Sequence, residues 1–356
     1  MVANLMGTIS VLCAMWACAF GAEREASGPH FEGQSPSPGV AVPRSDGNGW
    51  KTIYPADFNN DGMVDVLWQR TRHNLMAVWL MNGSQLLAPG PVISGPIGDG
   101  WAAISAGDFN QDHMADVFWY NSPQNLVAIW LMNGSQLLAP GPVIPGPIGD
   151  GWVAVTSAAD FNSDGMNDVV LNNPRQNLMT VWLMNGSQLL APGPVIPGPI
   201  GDGWTASSTA DFNADGMADV LWNNARRNLM AVWLMNGAQL LAPGPNIPGP
   251  NGDGWVTITA FDFNVDGMAD VLWHNAGQNL MAVWLMDGSQ LLAPGPNIPG
   301  PIGAGWVPAQ GAADFNFDGT ADVLWNNAAQ NLMAVWLMDG SQLLAPGPNI
   351  PGPFEN

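Results

Sequence analysis

From Trp50 onward the chain repeats one arrangement of apolar and polar positions six times. In the third copy, residues 152–159 read as a β-rich strand running into a polar loop at Asp160. Residues 168–172 read as a short second strand, followed by the turn Asn173-Pro174-Arg175-Gln176. Residues 177–184 form a third strand that turns at Asn185-Gly186, a pair suited to the positive φ angles of a tight hairpin. Residues 188–191 make a fourth, after which the prolines between Pro192 and Gly203 stop the ladder. The third strand, Leu178-Met179-Thr180-Val181-Trp182-Leu183-Met184, is largely apolar on both alternating faces, so both must be covered. Four short strands and a Pro/Gly connector describe a blade of an all-β propeller; a solenoid is the runner-up, and four-stranded units this long favour the ring.

The repeat sets the domain organisation. Asp-Phe-Asn begins a motif at Asp57, Asp108, Asp160, Asp211, Asp262 and Asp314, at intervals of 51, 52, 51, 51 and 52 residues. A Gly-Trp pair opens each unit, which gives six blades of about 51 residues: 50–100, 101–151, 152–203, 204–254, 255–305 and 306–356. Residues 34–50 align without gaps to 85–101, so the stretch 31–49 reads as a vestigial element of a seventh blade, either a leftover or a strand that closes the ring. Ahead of it, residues 1–22 are apolar and carry Ala17-Cys18-Ala19, a small-x-small cleavage pattern, although no Lys or Arg precedes the apolar run. They read as a signal peptide or, alternatively, an uncleaved membrane anchor, and 23–49 as a polar linker. The protein is expected to be secreted or held at the cell surface.

Composition narrows the function. With 29 Asp+Glu against 8 Lys+Arg, the net charge of −21 excludes a nucleic-acid binder, which needs cations to displace the counterions of phosphate. Two cysteines, Cys13 and Cys18, exclude a disulfide-stapled fold. Eighteen of the 29 acids are the three aspartates of each of the six loops.

Those loops read Asp-Phe-Asn-x-Asp-Gly-x-x-Asp, with oxygen side chains at positions 1, 3, 5 and 9 and glycine at 6. Glycine permits the sharp turn that gathers three alternate side chains toward one point. Oxygen donors without His or Cys select Ca²⁺ over zinc or copper. The expected ligands are Asp57, Asn59, Asp61 and Asp65; Asp108, Asn110, Asp112 and Asp116; Asp160, Asn162, Asp164 and Asp168; Asp211, Asn213, Asp215 and Asp219; Asp262, Asn264, Asp266 and Asp270; and Asp314, Asn316, Asp318 and Asp322. The position-7 carbonyls of Met63, Met114, Met166, Met217, Met268 and Thr320 complete up to six sites. The other reading is a set of Asx-turns in which these side chains cap their own backbone. Three uncompensated carboxylates per loop speak for a cation. His113 replaces the glycine in the second loop, making the site at Asp108 the weakest. Six bound Ca²⁺ would add +12 and take −21 to −9.

The loop, the Asp-Val-Leu-Trp strand after it and the Val-Trp-Leu-Met-Asn-Gly hairpin resemble the FG-GAP/VCBS repeat family, which includes the propeller of integrin α subunits. The resemblance implies a propeller in which this loop joins the first two strands of a blade and binds Ca²⁺. It departs in lacking the usual Phe-Gly…Gly-Ala-Pro element and in having six recognisable blades where seven are usual.

Alternating strands put the loops on one face of the ring and the variable second turns, with the connectors, on the other. Those turns hold Arg70, Arg72, Arg175, Arg226 and Arg227, a candidate basic rim for an extracellular glycan or protein ligand; drift in an exposed loop is the simpler reading of them. The Trp at 79, 130, 182, 233, 284 and 336 read as blade core. The Gly-Trp set is the aromatic set to choose if any contacts a ligand. His30, His73, His113 and His274 lie in unrelated contexts with no repeated nucleophile, so no enzyme is expected and no catalytic residue is assigned. The sequence reads best as an exported, non-catalytic, calcium-binding recognition or adhesion module; a structural scaffold is the alternative, with a calcium-dependent polysaccharide lyase behind it. Contact with a membrane is expected only through an uncleaved leader.

Overall fold

The computed structural model describes residues 49–70 and 73–353. The leader, the linker and the element at 31–49 lie outside them except for Gly49, as does Arg72. In the first blade the strands are β1 (Trp50–Ala56), β2 (Asp65–Arg70), β3 (Leu75–Asn82), β4 (Gln85–Pro89) and a two-residue β5 (Ile93–Ser94). They pair antiparallel in the order β1-β2-β3-β4, and the plan recurs in all six units. The protein is thus an all-β, six-bladed propeller, with no α-helix among the described residues.

The connector does more than expected. In the third blade Ile196–Pro197 pairs with Leu178 and Met179, while Gln188–Pro192 covers the other half of the same third strand. Two short strands therefore share one outer edge. Proline is tolerated because so brief a pairing asks little of its missing N–H.

The two apolar faces of the inner strands explain the packing. Val66, Trp68, Ala77, Trp79 and Met81 belong to a cluster with residues of the sixth blade, whereas Leu67, Met76 and Val78 belong to one with the second. The same division holds round the molecule, so six clusters fill six blade interfaces. Among the described residues the first blade packs directly on the sixth, which closes the ring. Across that seam Thr52 N donates to Asn326 Oδ1 at 3.1 Å. Gly352 also lies so close to Trp68 that a Cβ there would come within 2.6 Å of the indole.

Both tryptophan sets are structural. Trp68 and Trp79 pack at 5.3 Å between ring centroids, and four other blades repeat the pair. In the third blade Leu171 takes the place of the first member. The Gly-Trp residues Trp50, Trp101, Trp152, Trp204, Trp255 and Trp306 are buried as well, which corrects the expectation that they were the aromatics best placed for a ligand. They enter the same interface clusters, because each lies at or one residue before the start of an inner strand, packed against the neighbouring blade.

Trp119 is fully buried and its Nε1 has no partner, so its contribution is packing. Trp119→Ala is expected to cost about 3–5 kcal/mol, with a smaller loss for Trp119→Leu, since Leu171 already serves at that position. Exposed Leu87→Ser should change stability by less than about 0.5 kcal/mol. Urea unfolding of the three variants measures the order.

Candidate metal centre

Each nine-residue loop joins the inner strand to the second, where the sequence places it. In the first, Asp57 Oδ1 accepts from the N–H of Asn59 (3.2 Å) and Asn60 (2.7 Å), and its Oδ2 from Gly62 (2.9 Å). Asn59 Oδ1 accepts from the Asp61 N–H at 3.1 Å and its Nδ2 donates to Asp61 Oδ2 at 2.9 Å. Asp61 Oδ1 accepts from the N–H of Met63, the position-7 residue, at 2.8 Å. The other five loops share this plan with small variations.

The ninth position differs in kind. Asp65 is fully buried; its Oδ2 accepts from Phe58 N at 3.0 Å and its Oδ1 from Met81 N, on the third strand, at 2.9 Å. One carboxylate thus ties the loop to a strand sixteen residues away. Asp116, Asp168, Asp219, Asp270 and Asp322 do the same. Burial pushes each of the six carboxyls up to about 7, against the pull of the two N–H donors. The charges at positions 5 and 1 push the same way, being of the same sign.

The donor set fits a hard cation, since every ligating atom on offer is oxygen. Its placement is that of a loop held by its own N–H groups. Among the described residues no group of three Asp, Glu, His or Cys side chains converges on one point. The Asx-turn reading therefore describes the hydrogen bonding, and a cation would have to draw in carboxylates that still keep lone pairs free.

Position 6 carries the left-handed turn expected of it: Gly62 has φ 83°, and His113 adopts 66°. Position 4 is left-handed too, in residues as unsuited to it as Val265 (61°) and Phe317 (65°). Asn60 in the first loop was the only signal for this. Neighbouring loops also join: the Asp57 carbonyl accepts from Ala115 N at 2.7 Å, and four of the remaining five junctions repeat the bond. The bonds string the six loops into a belt that runs from the first to the sixth.

On the opposite face the second turns lie against the connectors, with Asn121 Nδ2 donating to the Asp99 carbonyl at 2.9 Å. The arginines there divide. Arg175, Arg226 and Arg227 are exposed, but Arg70 is 7% exposed and belongs to β2, because that strand runs one residue beyond its expected end. It is not part of an exposed rim. The same face carries Ile97, Ile148, Ile200 and Ile302, each 95–102% exposed. Sequence reasoning passed over these isoleucines, although the recurring Pro-Ile-Gly made them visible.

A family model described as FG-GAP-like repeat matches residues 57–119, 160–222, 211–273 and 266–325, together more than half of the chain. No curated protein matches. Among solved structures the chain is similar to the periplasmic gluconolactonase PpgL of Pseudomonas aeruginosa, at 15% identity and TM-score 0.53, over 84% of this chain and 85% of that one. It is also similar to virginiamycin B lyase of Staphylococcus aureus, at 9% identity and TM-score 0.51, over 87% of each chain. At such identities the likeness is one of fold.

The buried carboxyls set a pH dependence. An acid whose pKa is higher folded than unfolded stabilises below its unfolded value, here 3.8, and that contribution is lost as pH rises through about 7. Burial holds His274 down to about 4 instead, so its contribution is present above 6.5 and lost as pH falls. Six groups outweigh one. The stability of chelator-treated protein should therefore fall as pH rises from about 4.5 to 7.5, and Asp219→Asn should flatten the slope by about one sixth. Thermal melts across that range provide the check.

Proposed function

The chain belongs to the FG-GAP-like repeat family, and from that premise we propose that it is an exported, calcium-stabilised propeller that recognises an extracellular glycan or protein ligand. The observation that carries the calcium half is the ninth-position aspartate: a buried carboxyl, repeated six times, beside two further negative charges. A divalent cation relieves that repulsion. In each loop the Asp, Asn and Asp at positions 1, 3 and 5, the carbonyl at 7 and the Asp at 9 would hold it. The ion supplies charge compensation and loop rigidity. Its absence would leave the carboxyls to protonation and to the N–H groups.

The recognition half rests on the connector face. A fully exposed isoleucine buries nothing in the monomer, so stability gives no reason for four of them beside three exposed arginines. Weak contacts repeated from blade to blade would add through avidity. Secretion brings the protein to a calcium-rich exterior, where modules of this kind bind at about 10⁻⁴–10⁻³ M.

Calcium in large excess should raise the melting temperature at pH 7.5. At 10 to 100 times the dissociation constant each filled site adds roughly 1.4–2.7 kcal/mol. The loop at Asp108 should fill last, and His113→Gly should tighten it; calorimetric titration reads both. No shift in melting temperature with calcium or with chelation would refute the metal reading. For recognition, a glycan array should give hits that weaken when Arg175, Arg226 and Arg227 are changed to Ser. An array silent with and without calcium would favour the plain scaffold.

A further inference from the structure

The units are near copies in their outer strands and differ most in the second turns and along the axis. The third strands repeat almost letter for letter, whereas the inner strands read Lys-Thr-Ile-Tyr-Pro-Ala in the first blade, Val-Thr-Ile-Thr-Ala-Phe in the fifth and Val-Pro-Ala-Gln-Gly-Ala-Ala in the sixth. Blades three and six also carry one more residue between the Gly-Trp tryptophan and the loop aspartate. They face each other across a ring of six, and both show a wide register shift, between Ala154 and Ala158 and between Pro308 and Ala312. The extra residue swells each strand inward. Thr156 Oγ1 donates to Gln310 Oε1 at 3.0 Å, joining opposite blades and bridging the axis.

Between that bridge and the loop face lies a cup of about 380 Å³. That volume falls in the lower range of small-molecule clefts. Its wall is built where single units depart from the repeat. Tyr54 occupies the room left by Gly311, whose Cβ would come within 3.0 Å of the phenol ring. Phe261 stands where other blades have Ala or Gly, and Phe317 leans over Gly62 from the loop of the sixth. The two phenylalanines are 41% and 68% exposed, so they bury little for the fold. The only charged residues in the lining are Asp57 and Asp314, and no Lys, Arg or His contributes to it.

We propose that this cup binds a small organic cation, an ammonium group carried on a ring or short alkyl body. The apolar body would lie against Phe261, Phe317 and the alanines of the wall, with the charge over the aromatic faces and toward the two aspartates. An anion would meet acid on an already acidic protein. A neutral ring would gain the apolar contact without the charge.

The test is calorimetric titration of the full chain, cleared of metal and repeated with excess calcium, with benzyltrimethylammonium as probe and benzyl alcohol and benzoate as comparators. The cation should saturate one site and bind at least about tenfold tighter than benzyl alcohol, with benzoate not binding. The double variant Phe261→Ala/Phe317→Ala should lose about tenfold in affinity for the cation while its melting temperature and circular dichroism stay unchanged. Equal affinity for the alcohol, no saturable binding, or binding indifferent to the double variant would each overturn the proposal. The metal-free arm makes the result independent of calcium, so the two readings can fail separately.

Discussion

Each blade depends on a carboxylate that has been taken out of water. The ninth-position aspartate accepts one N–H from the start of its loop and one from the third strand, so loop, second strand and third strand are held through a single side chain. Removing it would leave two buried N–H groups unpaired, a larger loss than any one hydrogen bond gained. The same burial that makes the bonds strong makes the charge expensive, and nearby acids add to the strain. The pH response and the case for a cation both grow from that conflict. Six repeats multiply it.

Around this anchor the ring is assembled by faces rather than edges. Each middle strand is apolar on both sides because each side meets a different neighbour, and the seam between blades six and one is packed like the other five. Near-identity of the blades creates a difficulty, since six equivalent surfaces do not by themselves say which blade follows which, and chain connectivity must do so. It also leaves a hole on the axis that six equal inner strands would line alike. The protein meets this with unequal inner strands: a glycine of the sixth blade beside the tyrosine of the first, and a long side chain opposite a short one.

Much of this could be read before any coordinates. The alternation of Leu178–Met184 named a strand covered on both faces, and glycine at position 6 named a left-handed turn. What escaped reading did so for physical reasons. Ala214, Val265 and Phe317 have no preference for positive φ, so position 4 is imposed by the closed loop and not by its residues. Arg70 looked like a turn residue by charge, yet its strand runs one residue further and carries it inside. The Gly-Trp tryptophans sit beside flexible-looking glycines, and only the neighbouring blade reveals that they are covered. Ile196–Pro197 carries too little pattern in two residues to announce a strand. The loop side chains were expected to gather about one point; among the described residues they bond instead to their own backbone N–H groups, which residue types alone do not fix.

The inward swellings of the inner strands occur in the third blade and the sixth, at equivalent positions, and meet over the axis. The ring is therefore closer to two-fold than to six-fold symmetry, with blades one to three forming one half and four to six the other. Each half ends in its long inner strand, so the length of the inner strands repeats every three units, while single residues such as Phe261 and Phe317 do not. Two such halves present matching surfaces to each other in the manner of an isologous dimer. In its geometry the single chain is a covalently joined pair of three-bladed halves.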